Sequence, residues 1–325
     1  MHTFTRRRFM RSTALATAAA ALPSLAAGQP LILDTDIGDD IDDTWAMLLL
    51  LRMPALDVQL AVGDFGNALY RARLLAKLLE VTARTDIPIG IGLGKENNPG
   101  NQSDWLGNYR LADFPGTLHE DGVQAIIDTV MGSAEPVTLL CLGPVPNIAE
   151  ALRREPRIAD NAHVVGMYGS IDIGYDGEPG AVAEWNVRSD PASLQAVFRA
   201  PWNITITPLD TCGLVTLDGE RFGTLYCNDD PWLDALMENY AAWLPTSPYM
   251  DPDTDPTKTS STLFDTVAVY LAAERNLVEM KALPLTITDD GYTIIDEQSG
   301  RIVDCAIGWK NLEAFKNLLV KTLLA

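Results

Sequence analysis

Six aspartates fall within ten residues, Asp34, Asp36, Asp39, Asp40, Asp42 and Asp43, in the stretch LILDTDIGDDIDDTWAMLLLL. Carboxylates this dense repel one another unless a positive charge lies among them. A hard divalent cation with oxygen ligands meets that need, and calcium accepts many carboxylates in a flexible shell. The competing reading is a solvated acidic loop in which Asp42 or Asp43 caps a helix. Flanking residues decide between the two. Residues 31–33 form a short apolar run that reads as buried strand, and residues 45–51 an apolar segment of helical character ahead of Pro54. Open α/β sheets bind ligands at the carboxyl ends of their strands. That context favours a metal site.

The elements that must position this loop follow in alternation. A second strand, 58–62, ends in Gly63-Asp64-Phe65-Gly66-Asn67, and a helix over 68–84 has an apolar side of Leu74, Leu75, Leu78, Leu79 and Val81. A third strand covers 87–91. The alternation predicts an α/β fold with an open, doubly wound, mostly parallel (Rossmann-like) sheet. Residues 93–117 form a long polar loop with Trp105 and Tyr109, which either stack on a ligand or pack on the body. A helix over 121–132 leads to a strand at 137–142, then Gly143-Pro144-Val145-Pro146-Asn147 and a helix closing at Glu155-Pro156. Further strands are expected at 164–167 and 204–207, with a glycine-rich segment, 168–180, between them. Helices are expected from Asp190-Pro191, over 231–244 and over 262–274, with a Pro/Asp/Thr loop before the last. Residues 293–296 and 301–305 read as a hairpin around Gln298-Ser299-Gly300, and 311–324 as an amphipathic helix. No internal repeat or linker interrupts the chain, so residues 28–325 read as one domain.

The first 27 residues stand apart. Thr5-Arg6-Arg7-Arg8-Phe9-Met10-Arg11 matches a twin-arginine export motif, followed by a small-residue apolar run and a cleavage site near Ala26 or Ala27. A periplasmic location is the expectation. Removing this segment takes four arginines and no acid, leaving 20 basic against 44 acidic residues. Such an acidic chain does not suit nucleic-acid backbones or anionic membranes. Cys141, Cys212, Cys227 and Cys305 lack zinc-like spacing. Cys141 reads as a buried thiol, and the pairing of the other three is open.

Four stretches together resemble the inosine–uridine-type nucleoside hydrolases. Asp34, Asp36 and Gly38 match the opening signature Asp-x-Asp-x-Gly-x-Asp-Asp, although this chain has two extra residues before Asp42-Asp43. Anchoring on the strand makes Asp40 the third aspartate, and anchoring on the helix selects Asp42 and Asp43. Leu142-Gly143 with Asn147-Ile148-Ala149, then Ala183-Glu184-Trp185-Asn186 with Asp190-Pro191, and finally Phe264-Asp265 match the later motifs in order. The resemblance implies a calcium ion held by Asp36, Asp43, Asp265 and the Leu142 carbonyl. It implies Asp36 as the base that takes a proton from water, with Asn67 orienting it. Asp42 (or Asp40), Glu184 and Asn186 would hold ribose hydroxyls, Trp185 would line the pocket, and His119 lies near a family His-Gly motif. His163 opens a strand and reads as structural.

Two departures stand out. Phe264 occupies the place where purine-competent members carry a proton-donating histidine, and Glu178 stands where an asparagine is usual. The implied function is calcium-dependent hydrolysis of the N-glycosidic bond of ribonucleosides or related N-ribosides. A calcium-dependent periplasmic nucleoside- or ribose-binding protein without turnover is the alternative. A non-sugar metallohydrolase is third, since the ligand pattern is not zinc-like. The expected partner is a small-molecule nucleoside or N-riboside, with no nucleic acid and no stable membrane association; homo-oligomerisation is left open.

Overall fold

A computed structural model describes residues 28–94, 97–247, 250–251 and 253–325; the expected export segment lies outside them. Ten strands form one sheet: β1 (Gln29–Thr35), β2 (Leu56–Gly63), β3 (Ile89–Ile91), β4 (Leu118–His119), β5 (Val137–Cys141), β6 (Ala162–Met167), β7 (Ile204–Thr207), β8 (Val278–Ile287), β9 (Thr293–Ile295) and β10 (Arg301–Trp309). Among the described residues twelve α-helices surround it. They are α1 (Asp42–Leu51), α2 (Ala68–Val81), α3 (Ser103–Leu106), α4 (Gly122–Gly132), α5 (Pro146–Arg154), α6 (Trp185–Ser189), α7 (Pro191–Arg199), α8 (Leu209–Cys212), α9 (Gly219–Tyr226), α10 (Pro231–Trp243), α11 (Phe264–Ala273) and α12 (Leu312–Leu323). Among the described residues no helix is long and apolar enough to cross a membrane.

The strand order is β4-β3-β2-β1-β5-β6-β7-β10-β8-β9, parallel from β4 through β10. The chain winds outward from β1 through β4, then returns to lay β5 on the other side of β1. Connections therefore leave in opposite directions from β1 and β5, which opens a crevice at their carboxyl ends. Asp34 pairs with Cys141 across that junction, and the Leu142 amide donates to the Asp34 carbonyl at 2.8 Å. The aspartate loop and Leu142 thus share one rim.

Core strands are continuous apolar runs because both sheet faces are covered. Leu31 and Leu33 join one core layer and Ile32 the other, as alternate side chains must. Past its first turn helix α1 is apolar all round and buried as far as Leu50, with Trp45 and Ala46 fully buried. It packs against α10, α11 and α12. Each large side chain so buried contributes about 1.5–3 kcal/mol, which holds the acidic loop against its own repulsion.

The structure corrects one expectation, decides one alternative left open and adds one element. Residues 293–296 and 301–305 do not pair as a hairpin, because β8 lies between them, antiparallel to both β9 and β10. The polar loop 93–117 contains α3, and its aromatics pack on the body. Trp105 is buried beneath the ammonium of Lys77, 3.9 Å from the ring centroid, and the Tyr109 hydroxyl donates to Glu80. Finally, Trp185-Asn186 opens the helix α6, which the sequence pattern does not announce.

Candidate active site

The aspartate loop is held by backbone geometry first. Gly38 has φ +114°, a conformation open to glycine, and a Cβ there would lie 2.5 Å from the Tyr70 ring. A Cβ on Gly143 would lie 2.7 Å from Asp64 Oδ1 and 2.8 Å from the Asp36 Cβ, so the turn after β5 can pass these two aspartates only as glycine. Tyr70 donates to the Gly38 carbonyl at 3.3 Å and accepts from the Gln102 amide at 2.8 Å. Side-chain amides of Asn101 and Gln102 donate to the carbonyls of Asp39 and Asp40, both at 2.8 Å. From α10, Asn239 donates to Gln102 at 2.7 Å and Trp243 to the Asp39 carbonyl at 2.9 Å.

The loop surrounds a cavity of about 410 Å³ at the β1/β5 crevice. Asp36, Asp40, Asp42, Asp43, Leu142, Glu184, Trp185, Asn186 and Asp265 all line it. Carboxylate oxygens of Asp42, Asp43 and Asp265 lie within 4.8 Å of one another, all three residues buried. Asp42 therefore stands in the same carboxylate group as Asp43, beyond the ribose contact expected of it. Asp43 accepts from the Thr35 hydroxyl, and Asp42 from the Asp265 amide at 3.2 Å. Burial pushes Asp42, Asp43 and Asp265 well above the usual carboxylate range, and repulsion from the neighbouring carboxylates, Asp36 and Asp40 included, adds to it. Burial likewise raises Asp36 to about 7 and Asp40 to about 6. Buried carboxylates that repel at short range, with an all-oxygen donor set, fit a hard divalent cation. Histidine and cysteine are absent from the group, which does not suit zinc.

Neighbouring motifs close the walls. Glu184 caps α6, accepting from the amides of Gly169 (3.0 Å), Asn186 (2.7 Å) and Val187 (3.3 Å), and burial still raises it to about 7. The Asn186 amide donates to the Leu142 carbonyl at 2.7 Å and the Met167 carbonyl at 3.1 Å. A carbonyl oxygen has two lone pairs, so Leu142 keeps one for another partner. Across the mouth stand Tyr175, Trp185 and Phe264; Tyr175 meets Phe264 edge-on at 6.2 Å, and its hydroxyl accepts from the Trp185 amide at 2.9 Å.

Two expected site residues are not brought into the cavity. Asn67 caps α2, accepting from the Tyr70 amide at 3.1 Å and donating to the Asn98 carbonyl at 3.0 Å. Its side chain is committed to the loop, so it does not orient Asp36. His119 lies exposed on β4, the outermost strand, whose distance in sheet order from β1 keeps it away from the crevice. His163 contacts Thr138 at 3.0 Å, in keeping with a structural role.

Sequence reasoning missed the layer beneath. Asp64 is fully buried with neither carboxylate oxygen bonded to a donor, and one oxygen of Asp34 is also without one. Burial raises Asp34 to about 7 and Asp64 well above the usual carboxylate range, and the charge of Asp34 adds to the rise at Asp64. The other Asp34 oxygen accepts from Asn147 at 2.7 Å. Arg71, also buried, donates to the carbonyls of Asp36, Ile37 (3.0 Å) and Phe65 (2.9 Å) and to the Asp39 carboxylate at 2.9 Å. A signal for Arg71 existed, since it interrupts the apolar side of α2 one turn before Leu74 and Leu75.

The chain resembles proteins of known structure and curated function. Two pyrimidine-specific ribonucleoside hydrolases RihA, of Escherichia fergusonii and Escherichia coli, are each 30% identical to it over 207 residues. The match takes in 59% of this chain and 65% of theirs, so the chain spans less than two thirds of the length of these relatives. A plant nucleoside hydrolase superposes with a TM-score of 0.73 at 21% identity, over 91% of this chain and 99% of that one. A purine-preferring ribonucleoside hydrolase from Gardnerella vaginalis gives 0.72 at 23% identity, over 91% and 98%. These structural likenesses establish the fold. The inosine-uridine preferring nucleoside hydrolase family matches residues 31–318, from β1 through the aspartate loop into α12, and the chain belongs to that family.

Proposed function

We propose that this protein hydrolyses the N-glycosidic bond of ribonucleosides or related N-ribosides in a calcium-dependent reaction. The observation that carries the reading is the meeting of Asp42, Asp43 and Asp265, from the two buried helices α1 and α11, at the end of one cavity. Asp36, Asp43, Asp265 and the Leu142 carbonyl would hold the ion, with Asp42 alongside. A bound divalent cation supplies the charge that neutralises these carboxylates and lowers the pKa of an attacking water.

The chain's own groups do the rest. Asp36, at the sugar end, accepts the proton of the water that attacks C1′. Glu184 and Asn186 on one side and Asp42 or Asp40 on the other face the ribose hydroxyls. Contacts of this kind strengthen as positive charge develops on the sugar. Trp185, Tyr175 and Phe264 flank the space where the ring would lie.

Ribose release from a nucleoside panel, with calcium or with chelator, tests the reading. Release that depends on calcium is expected, and Asp43→Ala and Asp265→Ala should each lose bound calcium by metal analysis. Unchanged calcium content in both variants removes the site. A second reading, a calcium-dependent binder without turnover, is favoured by Phe264, which cannot protonate a departing ring; saturable nucleoside binding without ribose release would establish it. The Arg6-Arg7-Arg8-Phe9 run supports export to the periplasm by the twin-arginine route.

A further inference from the structure

The inner end of the cavity is walled by buried carboxylates, whereas the mouth carries Tyr175, Trp185 and Phe264, the exposed carboxylate of Asp176 and, among the described residues, a single basic residue, Arg188. Among the described residues every other arginine bonds an oxygen of a carboxylate, amide or backbone carbonyl. Arg188 alone forms no hydrogen bond or ion pair through its guanidinium, in a chain with 44 acidic and 24 basic residues. Its Cζ lies 5.4 Å from the centroid of the Trp185 ring, and its charge acts on Glu184 and Tyr175 without a hydrogen bond to either. Its backbone is fixed, since a Cβ on Gly291 would lie 2.6 Å from the Arg188 Cα. An arginine without a partner at the rim of an acidic cavity leaves a planar set of donors for a ligand with acceptor oxygens.

We propose that Arg188 holds the leaving ring, selecting N-ribosides whose ring carries carbonyl acceptors, such as a pyrimidinedione, and stabilising that ring as it departs as an anion. The proposal rests on the hydrolysis reading above. The bond between C1′ and the ring nitrogen breaks, and its electron pair passes to the ring and spreads onto the carbonyl oxygens that Arg188 faces. The water oxygen bonds to C1′ while its proton goes to Asp36. The ring anion then takes a proton from solvent at the open mouth, and Asp36 returns its own to solvent, so one water is consumed. Arginine does not release a proton near neutral pH. Its contribution is electrostatic, and it offsets the missing donor at Phe264.

The test compares wild type with Arg188→Met, which keeps length and packing on Trp185, and with Arg188→Lys, which keeps charge without the planar fork. Against uridine, kcat/KM should fall by about 10²-fold in Arg188→Met, whereas p-nitrophenyl riboside, which leaves as an already stable anion, should lose less than about tenfold. Arg188→Lys should lie between. Equal losses on both substrates, or no loss on uridine, overturn the proposal; loss on uridine in Tyr175→Phe alone would assign the ring to Tyr175 instead. Uridine binding is followed by calorimetry in parallel. Should wild type release ribose from neither substrate, the hydrolysis reading fails separately: weaker uridine binding by Arg188→Met then still supports the contact, and equal binding overturns it.

Discussion

Metal-free protein should lose stability as pH rises from 5 to 8, and calcium should restore it. Carboxyls whose pKa is higher in the folded chain than in the unfolded one bind extra protons when folded. Their contribution is complete below the ordinary carboxylate pKa and is lost as pH passes through the raised value. Burial raises Glu184 from 4.5 to about 7 and Asp36 from 3.8 to about 7, so the window runs from about pH 4 to 7. One such group corresponds to ~3 kcal/mol. The groups share one field, so the effects do not simply add, and ~3 kcal/mol is the order of magnitude expected over the whole window. In a domain of this size that is a fall in Tm of ~5 °C. Calcium must displace those protons to bind, so its stabilisation should be larger at pH 8 than at pH 5, reaching ~2.7 kcal/mol at a hundredfold excess over Kd. Thermal melts with chelator and with calcium across this range measure both effects, with Asp265→Asn as the variant in which the slope flattens. A metal-free Tm that holds level or rises with pH, or a calcium shift equal at both ends, would refute the reasoning.

Three further outcomes are expected. Wild type should cleave p-nitrophenyl riboside far better than inosine, and Phe264→His should narrow that gap, because general-acid assistance is worth about 10²–10⁴-fold; initial rates on the two substrates decide it. Gly38→Ala should destabilise the protein by ~1–3 kcal/mol and weaken calcium binding, since a Cβ at φ +114° meets Tyr70; denaturant melts and calcium titration would show neither effect if the loop can shift freely. Replacing Arg6 and Arg7 with lysine should leave the precursor in the cytoplasm, and a fully processed periplasmic variant would show that the signal is misread.

The alternation of strand and helix was legible because a sheet covered on both faces writes itself as apolar runs separated by amphipathic helices. The aspartate loop was legible for a similar reason, as six acids in ten residues demand an explanation. Strand β8 was not, since its sequence mixes Lys281 and Pro284 with apolar residues and its pairing depends on partners on both sides. Asn67 and His119 show a different limit. Each sits near a motif in the chain, yet helix capping turns one away and sheet order removes the other. Asp64, only three residues before Asn67, lies in the layer beneath Asp36, a distinction that depends on which residue ends β2. Arg188 carried no signal in the sequence, because an arginine lacking a partner can be recognised only after every other arginine has found one.

The threading of Tyr70 between Gly38 and Gly100 has a consequence for how this family member can be altered. A Cβ at Gly100 would lie 1.9 Å from the Tyr70 ring, and residues 100–102 are bonded to the loop on one side and to α10 on the other. Those residues therefore cannot swing as a flap while the loop stays still. Exchanging this segment for one from a relative would transplant half of a joint, and a working chimera would have to import residues 36–43, Tyr70 and Asn239 along with it.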